Sequence, residues 1–208
     1  MSRTAKALLL LVVLFFAITS DLLAGGPLTT FDVWLANWLR AHGSPLATSV
    51  LLFITHAHAH LPILVYSALF AGWLAWKREW HWMSAVLLVV PAGLGINHLL
   101  KLLFERARPR WDDPLLSLSS YSFPSGHAAG AALFYGVLTA YLVTRLPKAR
   151  QRADCVVVAA TMVGLVGLSR MYLGVHYLSD VLAAVCSSLA WLVLCLAGVH
   201  AAFAARSR

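Results

Sequence analysis

Charge is scarce in this chain. Of its 208 residues only 12% are charged, against 61% that are hydrophobic, and the mean hydropathy is +0.78. A water-soluble domain is roughly one quarter charged. A chain with so little charge cannot hide its apolar side chains in a water-soluble core, which excludes that class and points to an integral membrane protein. Acidic residues are the scarcest: eight Asp and Glu stand against sixteen Lys and Arg, a net charge of +8 and a pI of about 9.9. In a soluble domain this excess would suggest nucleic acid. Here the basic residues flank apolar segments, so membrane topology accounts for them and no nucleic-acid partner is expected. Cysteine is nearly absent. Cys155, Cys186 and Cys195 lie inside apolar runs without metal-type spacing and read as inert thiols. No repeat, low-complexity tract or long linker divides the chain, so residues 1–208 read as a single membrane domain.

What is abundant is long apolar sequence. A hydrocarbon core of about 30 Å needs roughly 20 helical residues. Residues 6–24, 60–76, 82–103, 126–144, 153–171 and 177–200 meet that need, which predicts an all-α, six-transmembrane-helix bundle. The second segment is short, and the apolar residues 46–55 ahead of it can extend it. The first resembles a signal peptide, with Arg3 and Lys6 before "ALLLLVVLFFAIT". Its apolar stretch is longer than a signal core and no clean cleavage site follows, so a retained helix is expected. Within residues 30–42, Phe31, Trp34, Leu35, Trp38 and Leu39 recur at helical spacing, with Asp32, Asn37 and Arg40 on other faces. That segment reads as a helix lying on the outer membrane surface, or equally as a packing helix in the first outer loop.

The basic residues predict orientation. With a cytoplasmic N-terminus, Arg3, Lys6, Lys77, Arg78, Arg145, Lys148, Arg150, Arg152, Arg206 and Arg208 lie inside, ten of the sixteen. Arg40, Lys101, Arg106, Arg108, Arg110 and Arg170 lie outside. The bias predicts that both termini are cytoplasmic.

Polar residues gather in three stretches. "KLLFERARP" carries Lys101, Arg108 and Pro109; "YSFPSGHAAG" carries Pro124, Ser125, Gly126 and His127; "SRMYLGVHYLSD" carries Ser169, Arg170, His176 and Asp180. Counting roughly 20 residues from the inner end of each helix places all three at the outer membrane boundary. Lys101, Arg108 and Arg170 at one depth repel unless an anion sits among them, and phosphate oxygens suit arginine's planar fork. Ser125-Gly126-His127 opens a span whose first backbone N–H groups point at an anion, and Gly126 lets a ligand approach closely. His176 and Asp180 are four apart and share a face if the last span begins near His176. Asp180 can then hold one ring nitrogen and leave the other to attack. His127 is suited to protonate a leaving oxygen. Singly, each residue has a plain reading as a snorkelling anchor, an interface histidine or a helix cap. Together, at one level, they read as a phosphate site.

In this order, Lys-x6-Arg-Pro, Pro-Ser-Gly-His and Ser-Arg-x5-His-x3-Asp over residues 101–180 resemble the three signature motifs of the type 2 phosphatidic acid phosphatase superfamily. That superfamily also holds soluble bacterial acid phosphatases and vanadium haloperoxidases. The six-span pattern extends the resemblance to its lipid phosphatase branch. The resemblance implies that His176 is the nucleophile and forms a phosphohistidine, with Asp180 orienting it. It implies that His127 protonates the leaving group and then helps water cleave the intermediate. Lys101, Arg108 and Arg170 would hold the phosphoryl oxygens, assisted by Ser125 and the Gly126 backbone, with Ser169, Pro124, Pro109 and Asn97 beside them. No cofactor and no metal is implied, the fixed cations standing where many phosphoryl-transfer enzymes use magnesium.

The expected function is therefore metal-independent hydrolysis of a lipid phosphate or diphosphate in the bilayer: a polyprenyl diphosphate, phosphatidic acid or phosphatidylglycerophosphate. A lipid phosphotransferase would use the same site. A transporter is the reading from another class, but the charges lie at one outer level with none near the midplane. The expected setting is the bacterial inner membrane, with the site facing the periplasm. The sequence is silent on oligomeric state.

The tract "THAHAH", residues 55–60, falls at the same outer level, because counting roughly 20 residues back from Trp76 reaches Ala57. On a helix His56 and His60 share a face and His58 points elsewhere. A metal site on all three would need irregular backbone, which Pro62 permits. The tract reads as a neighbour of the site, near its entrance or the head group, or as interface filler. Arg106, Arg110, Asp112 and Asp113 are expected to pair with one another. Asn97 and His98 either line the cavity or form a satisfied interior pair, and Tyr121 and Phe123 are expected to pack the loop.

Overall fold

The computed structural model describes residues 2–116 and 118–206, apart from the side chains of Arg3 and Arg206. Of the charges used to orient the chain, Arg208 and those two side chains lie outside the described residues. The described residues form helices and no strand: α1 (Arg3–Ala24), α2 (Pro27–Ala41), α3 (Pro45–Ala57), α4 (His60–Trp76), α5 (Trp80–Phe104), α6 (Gly126–Arg145), α7 (Ala149–Tyr172) and α8 (Leu178–Arg206).

The centre is built by α4, α5, α6 and α8. Val86, Val89 and Val90 of α5 meet Leu133 and Val137 of α6, with Ile63 and Leu74 of α4 and Leu192 of α8 closing the cluster. α1 lies along α8, and α7 along α6 and α3. Large apolar side chains such as Leu10, Phe16, Leu69, Leu103 and Val157 stay on the outside of the bundle. Helices apolar on their outer as well as inner faces suit lipid surroundings. Five helices, α1, α5, α6, α7 and α8, are each long and apolar enough to cross a membrane. A sixth crossing exists only if α3 and α4 count as one span, bent by 50°.

That bend corrects one expectation. Residues 46–55 do not extend α4; they belong to α3, which ends at Ala57 with His58 as its C-cap. Ala59 is the extended N-cap of α4, and Pro62 falls in its first turn. A proline there sacrifices only an N–H that no earlier turn could receive, so it favours a new helix start over continuation.

α2 docks by one side only. Its aromatic side is turned outward, with Trp34 55% and Trp38 46% exposed, while Asp32 and Ala36 on the opposite side are buried. The helix docks by its small and acidic residues and presents its tryptophans to the surroundings. Its entry is fixed by Asp21 of α1, whose carboxylate accepts from the backbone N–H groups of Leu28 and Thr29 at 3.2 and 2.8 Å. These are among the donors that a helix N-terminus leaves unpaired.

Alternation of the long helices brings the α5–α6 loop, the α7–α8 turn and the α3–α4 break to one end. The short α4–α5 and α6–α7 turns lie at the other, where Arg145 of α6 pairs with Glu79.

Candidate active site

The α7–α8 turn carries His176, and the first turn of α8 carries Asp180. Gly174, at φ +70°, makes the turn possible; a Cβ there would also strike the Trp111 ring at 2.5 Å. The backbone N–H groups of Val175 and His176 both donate to the Arg170 carbonyl, so the turn folds back on α7. His176 is 2% exposed and Asp180 fully buried. Asp180 Oδ2 accepts from His176 Nδ1 at 3.2 Å and from the Tyr177 N–H at 2.9 Å. It also accepts from Ser122 Oγ, which lies 3.4 Å from the same ring nitrogen. Held through Nδ1, the ring presents Nε2 to Arg108, whose Nη1 is 3.2 Å away. Burial pushes the His176 imidazole down to about 3, with Asp180 opposing the shift and Arg108 and Arg170 adding to it. The ring is therefore neutral at physiological pH, the state a nitrogen nucleophile needs.

The cations come from three elements. Lys101, in the last turn of α5, spends two of its three donors on the carbonyls of Tyr121 and Ser122, at 2.8 and 3.1 Å. Arg108 follows α5 in the irregular α5–α6 loop. It is clamped by Ser120 and by the carbonyls of Val175 and Tyr121. Arg170 of α7 is 2% exposed and donates through Nη1 to Thr55 Oγ1 of α3.

Ser125 is the N-cap of α6, but its side chain makes no cap hydrogen bond; its backbone N–H donates instead to the Asp180 carbonyl at 3.0 Å. That bond ties the head of α6 to the head of α8. Three buried side-chain atoms have no hydrogen-bond partner among the described residues: Asn97 Nδ2, Ser125 Oγ and Arg170 Nε. Buried polar atoms are seldom left so. Gly126 sits between two of their side chains and the histidine tract: a Cβ there would lie 2.7 Å from His60 Nε2 and 3.6 Å from Asn97 Oδ1. His127, next in α6, faces His60 with ring centroids 5.6 Å apart. A cavity of about 550 Å³ opens on the Arg108 side of the site, lined by Arg106, Arg108, Pro109, Trp111, Tyr121 and Gly174.

The model of the PAP2 superfamily matches residues 82–204, more than half of the chain and all three motifs. The chain belongs to the PAP2 superfamily. It is 35% identical over 173 residues to phosphatidylglycerophosphatase B of Bacillus subtilis (strain 168), covering 81% of this chain and 83% of that one. It is also similar to the crystal structure of the first transmembrane PAP2 type phosphatidylglycerolphosphate phosphatase from Bacillus subtilis. The TM-score is 0.77 at 30% identity, over 95% of this chain and 96% of that one. Aquifex aeolicus LpxE shares the fold, with a TM-score of 0.64 at 20% identity over 80% of this chain and 95% of that one. The protein is thus an integral membrane PAP2 enzyme, a lipid phosphatase.

In this PAP2 enzyme most motif residues converge, but several neighbours do not behave as their spacing implied. Ser169 is fully buried and donates to the Val166 carbonyl of its own helix at 2.7 Å. Pro109 lines the cavity, and Pro124 follows Phe123 through a cis peptide bond. Phe123 packs as expected, against Phe15 and Phe104. Tyr121 does not: the residue is 37% exposed, and its carbonyl serves Lys101 and Arg108. The histidine tract is split. His58 is buried, bonded to the Ile54 carbonyl and to Tyr135 Oη, each at 2.8 Å, whereas His60 faces His127.

The largest departure is Arg106. It pairs with neither Asp112 nor Asp113 but reaches Asp180 and Asp32. Two further hydroxyls support the site without a role of their own in the sequence pattern: Ser122, beside the second motif, and Thr55, at the head of the histidine tract. Asp32 did leave a signal, as the one acidic residue in a helix whose other face is aromatic.

Proposed function

We propose that the protein removes a phosphate from a lipid phosphate through a phosphohistidine on His176. The observation that carries this reading is the ring of His176, neutral and held through Nδ1 by Asp180 while Nε2 points at the Arg108 guanidinium. A phosphoryl group bound by Arg108 would lie against that nitrogen. Lys101, Arg170, Ser125 and the N–H groups opening α6 supply the remaining donors, and the unpartnered Ser125 Oγ and Arg170 Nε are where such oxygens fit.

In the first step Nε2 of His176 bonds to phosphorus and the bond to the leaving oxygen breaks. His127, protonated once the phosphate anion sits beside it, gives that oxygen its proton, and Asp180 balances the charge left on the His176 ring. In the second step His127 takes a proton from water, whose oxygen displaces His176 and yields inorganic phosphate. Fixed cations balance the phosphoryl charge throughout, so the reaction runs without an added metal.

Among lipid phosphates, phosphatidylglycerophosphate comes first, because both Bacillus relatives carry names for phosphatases of that lipid. Polyprenyl diphosphate and phosphatidic acid follow. Residues 1–208 act as one membrane domain in the inner membrane. The site faces outward and both termini inward, in line with Lys77, Arg78, Arg145 and Lys148 at the opposite end of the bundle.

The test is a phosphate-release panel across the three lipids in detergent micelles with chelator present. Release greatest from phosphatidylglycerophosphate and unaffected by chelator is expected. Loss of activity with chelator would contradict the mechanism, and preference for another lipid would overturn the substrate.

A further inference from the structure

Asp180 receives more than the motif residues offer it. Besides its three bonds on Oδ2, its Oδ1 accepts from Arg106 Nη1 at 2.6 Å. The same guanidinium turns Nη2 to Asp32 Oδ2 at 2.9 Å and donates to Ser179 Oγ at 2.6 Å. Asp32 in turn accepts from the backbone N–H of Ser179 at 2.9 Å and from the Ser179 hydroxyl. Ser179 is the second residue of α8, so its N–H is one that the helix cannot satisfy itself. Asp32 thus caps α8 from α2, while Asp180 caps it from within through Tyr177 N. Two carboxylates at one helix N-terminus are held by its dipole and by a single arginine between them.

Arg106 is not a loose surface charge. Its side chain is 10% exposed, those of Asp32 and Asp180 are 0%, and its guanidinium lies 4.3 Å from the centre of the Tyr177 ring. Burial alone would lower its pKa, but the two carboxylates outweigh burial and hold it above its ordinary value. The balance of charge also matters. With His176 neutral, Asp180, Asp32 and Arg106 sum to one net negative charge behind the ring. That charge is in place before the ring becomes cationic on attack, and a fixed arrangement of this kind needs no reorganisation during the step.

We infer that Arg106 and Asp32 are positioning residues for the phosphoryl transfer, acting on His176 through Asp180. They fix the Asp180 carboxylate in the plane that His176 Nδ1 needs. By docking α2 on the head of α8, they also make that helix part of the active-site frame. Arg106 fills one of the unspecified positions of the first motif, and Asp32 lies outside all three. The inference rests on the phosphohistidine reading, since it acts through the orientation of His176.

The experiment compares Asp32→Asn, Arg106→Gln, Arg106→Lys and the Asp32→Asn/Arg106→Gln double variant with wild type and His176→Ala. It is done in detergent, after checking that each variant elutes as a single folded species. Each variant is measured for kcat, KM and inhibition by orthovanadate, a mimic of the transferred phosphoryl group. Asp32→Asn should lower kcat about tenfold and Arg106→Gln about a hundredfold, the scale of loss from a misplaced reacting group, with KM within about twofold. The double variant should match Arg106→Gln rather than multiply the two losses, because both act through one carboxylate. Vanadate inhibition should weaken in step with kcat. Arg106→Lys, which keeps the charge but not the fork, should stay well below wild type. If Arg106→Gln does not fold, Asp32→Asn and Arg106→Lys decide. Wild-type kcat in these variants, or losses confined to KM with vanadate inhibition unchanged, would overturn the inference. If His176→Ala itself turns over, the phosphohistidine reading fails instead.

Discussion

At Gly126 there is no room for a side chain. A Cβ would sit 2.7 Å from His60 Nε2 and 3.0 Å from its neighbouring ring carbon, at the head of α6 where we propose the phosphate binds. Gly126→Ala should therefore lower kcat/KM by about a hundredfold, the cost of displacing a reacting group by about 1 Å. Shortening His60 to alanine in that background should restore part of the loss, and an additive loss would contradict the contact. The protonation of His176 is set at the same scale. Its lowered pKa means that the neutral ring persists until the pH falls to about 3, so its protonation takes nothing from the rate between pH 5 and 8. Histidine NMR on the detergent-solubilised protein should show the His176 ring neutral throughout that range; a midpoint near 6.5 would contradict its burial. The residues of chemistry were legible in the sequence because three motifs place Lys101, Arg108, Ser125, Gly126, His127, Arg170, His176 and Asp180 at one depth. What supports them was not. Ser122 stands in the second stretch without a role in its motif, Thr55 opens the histidine tract and Asp32 lies in α2; only the folded chain brings Ser122 to Asp180, Asp32 to Asp180 through Arg106, and Thr55 to Arg170.

At the scale of elements, helices occupy every apolar segment that composition and length marked out. What hydropathy leaves open is where an apolar stretch breaks and which side of a helix docks. Residues 46–55 read as able to extend the short span 60–76, yet they form a helix of their own, because Pro62 and the His58 cap outweigh continuity. The amphipathic pattern of α2 identifies a helix but not which side docks. Burial of Asp32 decides that, since a carboxylate buried without partners is costly and this one finds Arg106 and Ser179. The break separates two histidines that sequence grouped together. His58→Ala removes the bond to Tyr135 and should destabilise the protein by about 1–3 kcal/mol while leaving KM unchanged. A thermal unfolding scan in detergent reads the first effect and steady-state kinetics the second. A changed KM with unchanged stability would place His58 at the substrate instead.

For the whole molecule, one end of the bundle carries the site and the other carries the short basic turns. This polarity is what the distribution of lysine and arginine anticipates. It leads to a labelling prediction in a background where Cys155, Cys186 and Cys195 are replaced. Leu115, 41% exposed in the α5–α6 loop, changed to cysteine should react with an impermeant maleimide in intact cells. Labelling only after lysis would invert the orientation. The account as a whole stands on His176 carrying the phosphoryl group. Rapid acid-free quenching of the enzyme mixed with lipid substrate labelled in its phosphate tests this most directly. Wild type should hold label in an acid-labile, base-stable bond mapping to the peptide with His176, and His176→Ala should hold none. Label kept in His176→Ala, or found on another residue, would contradict the account.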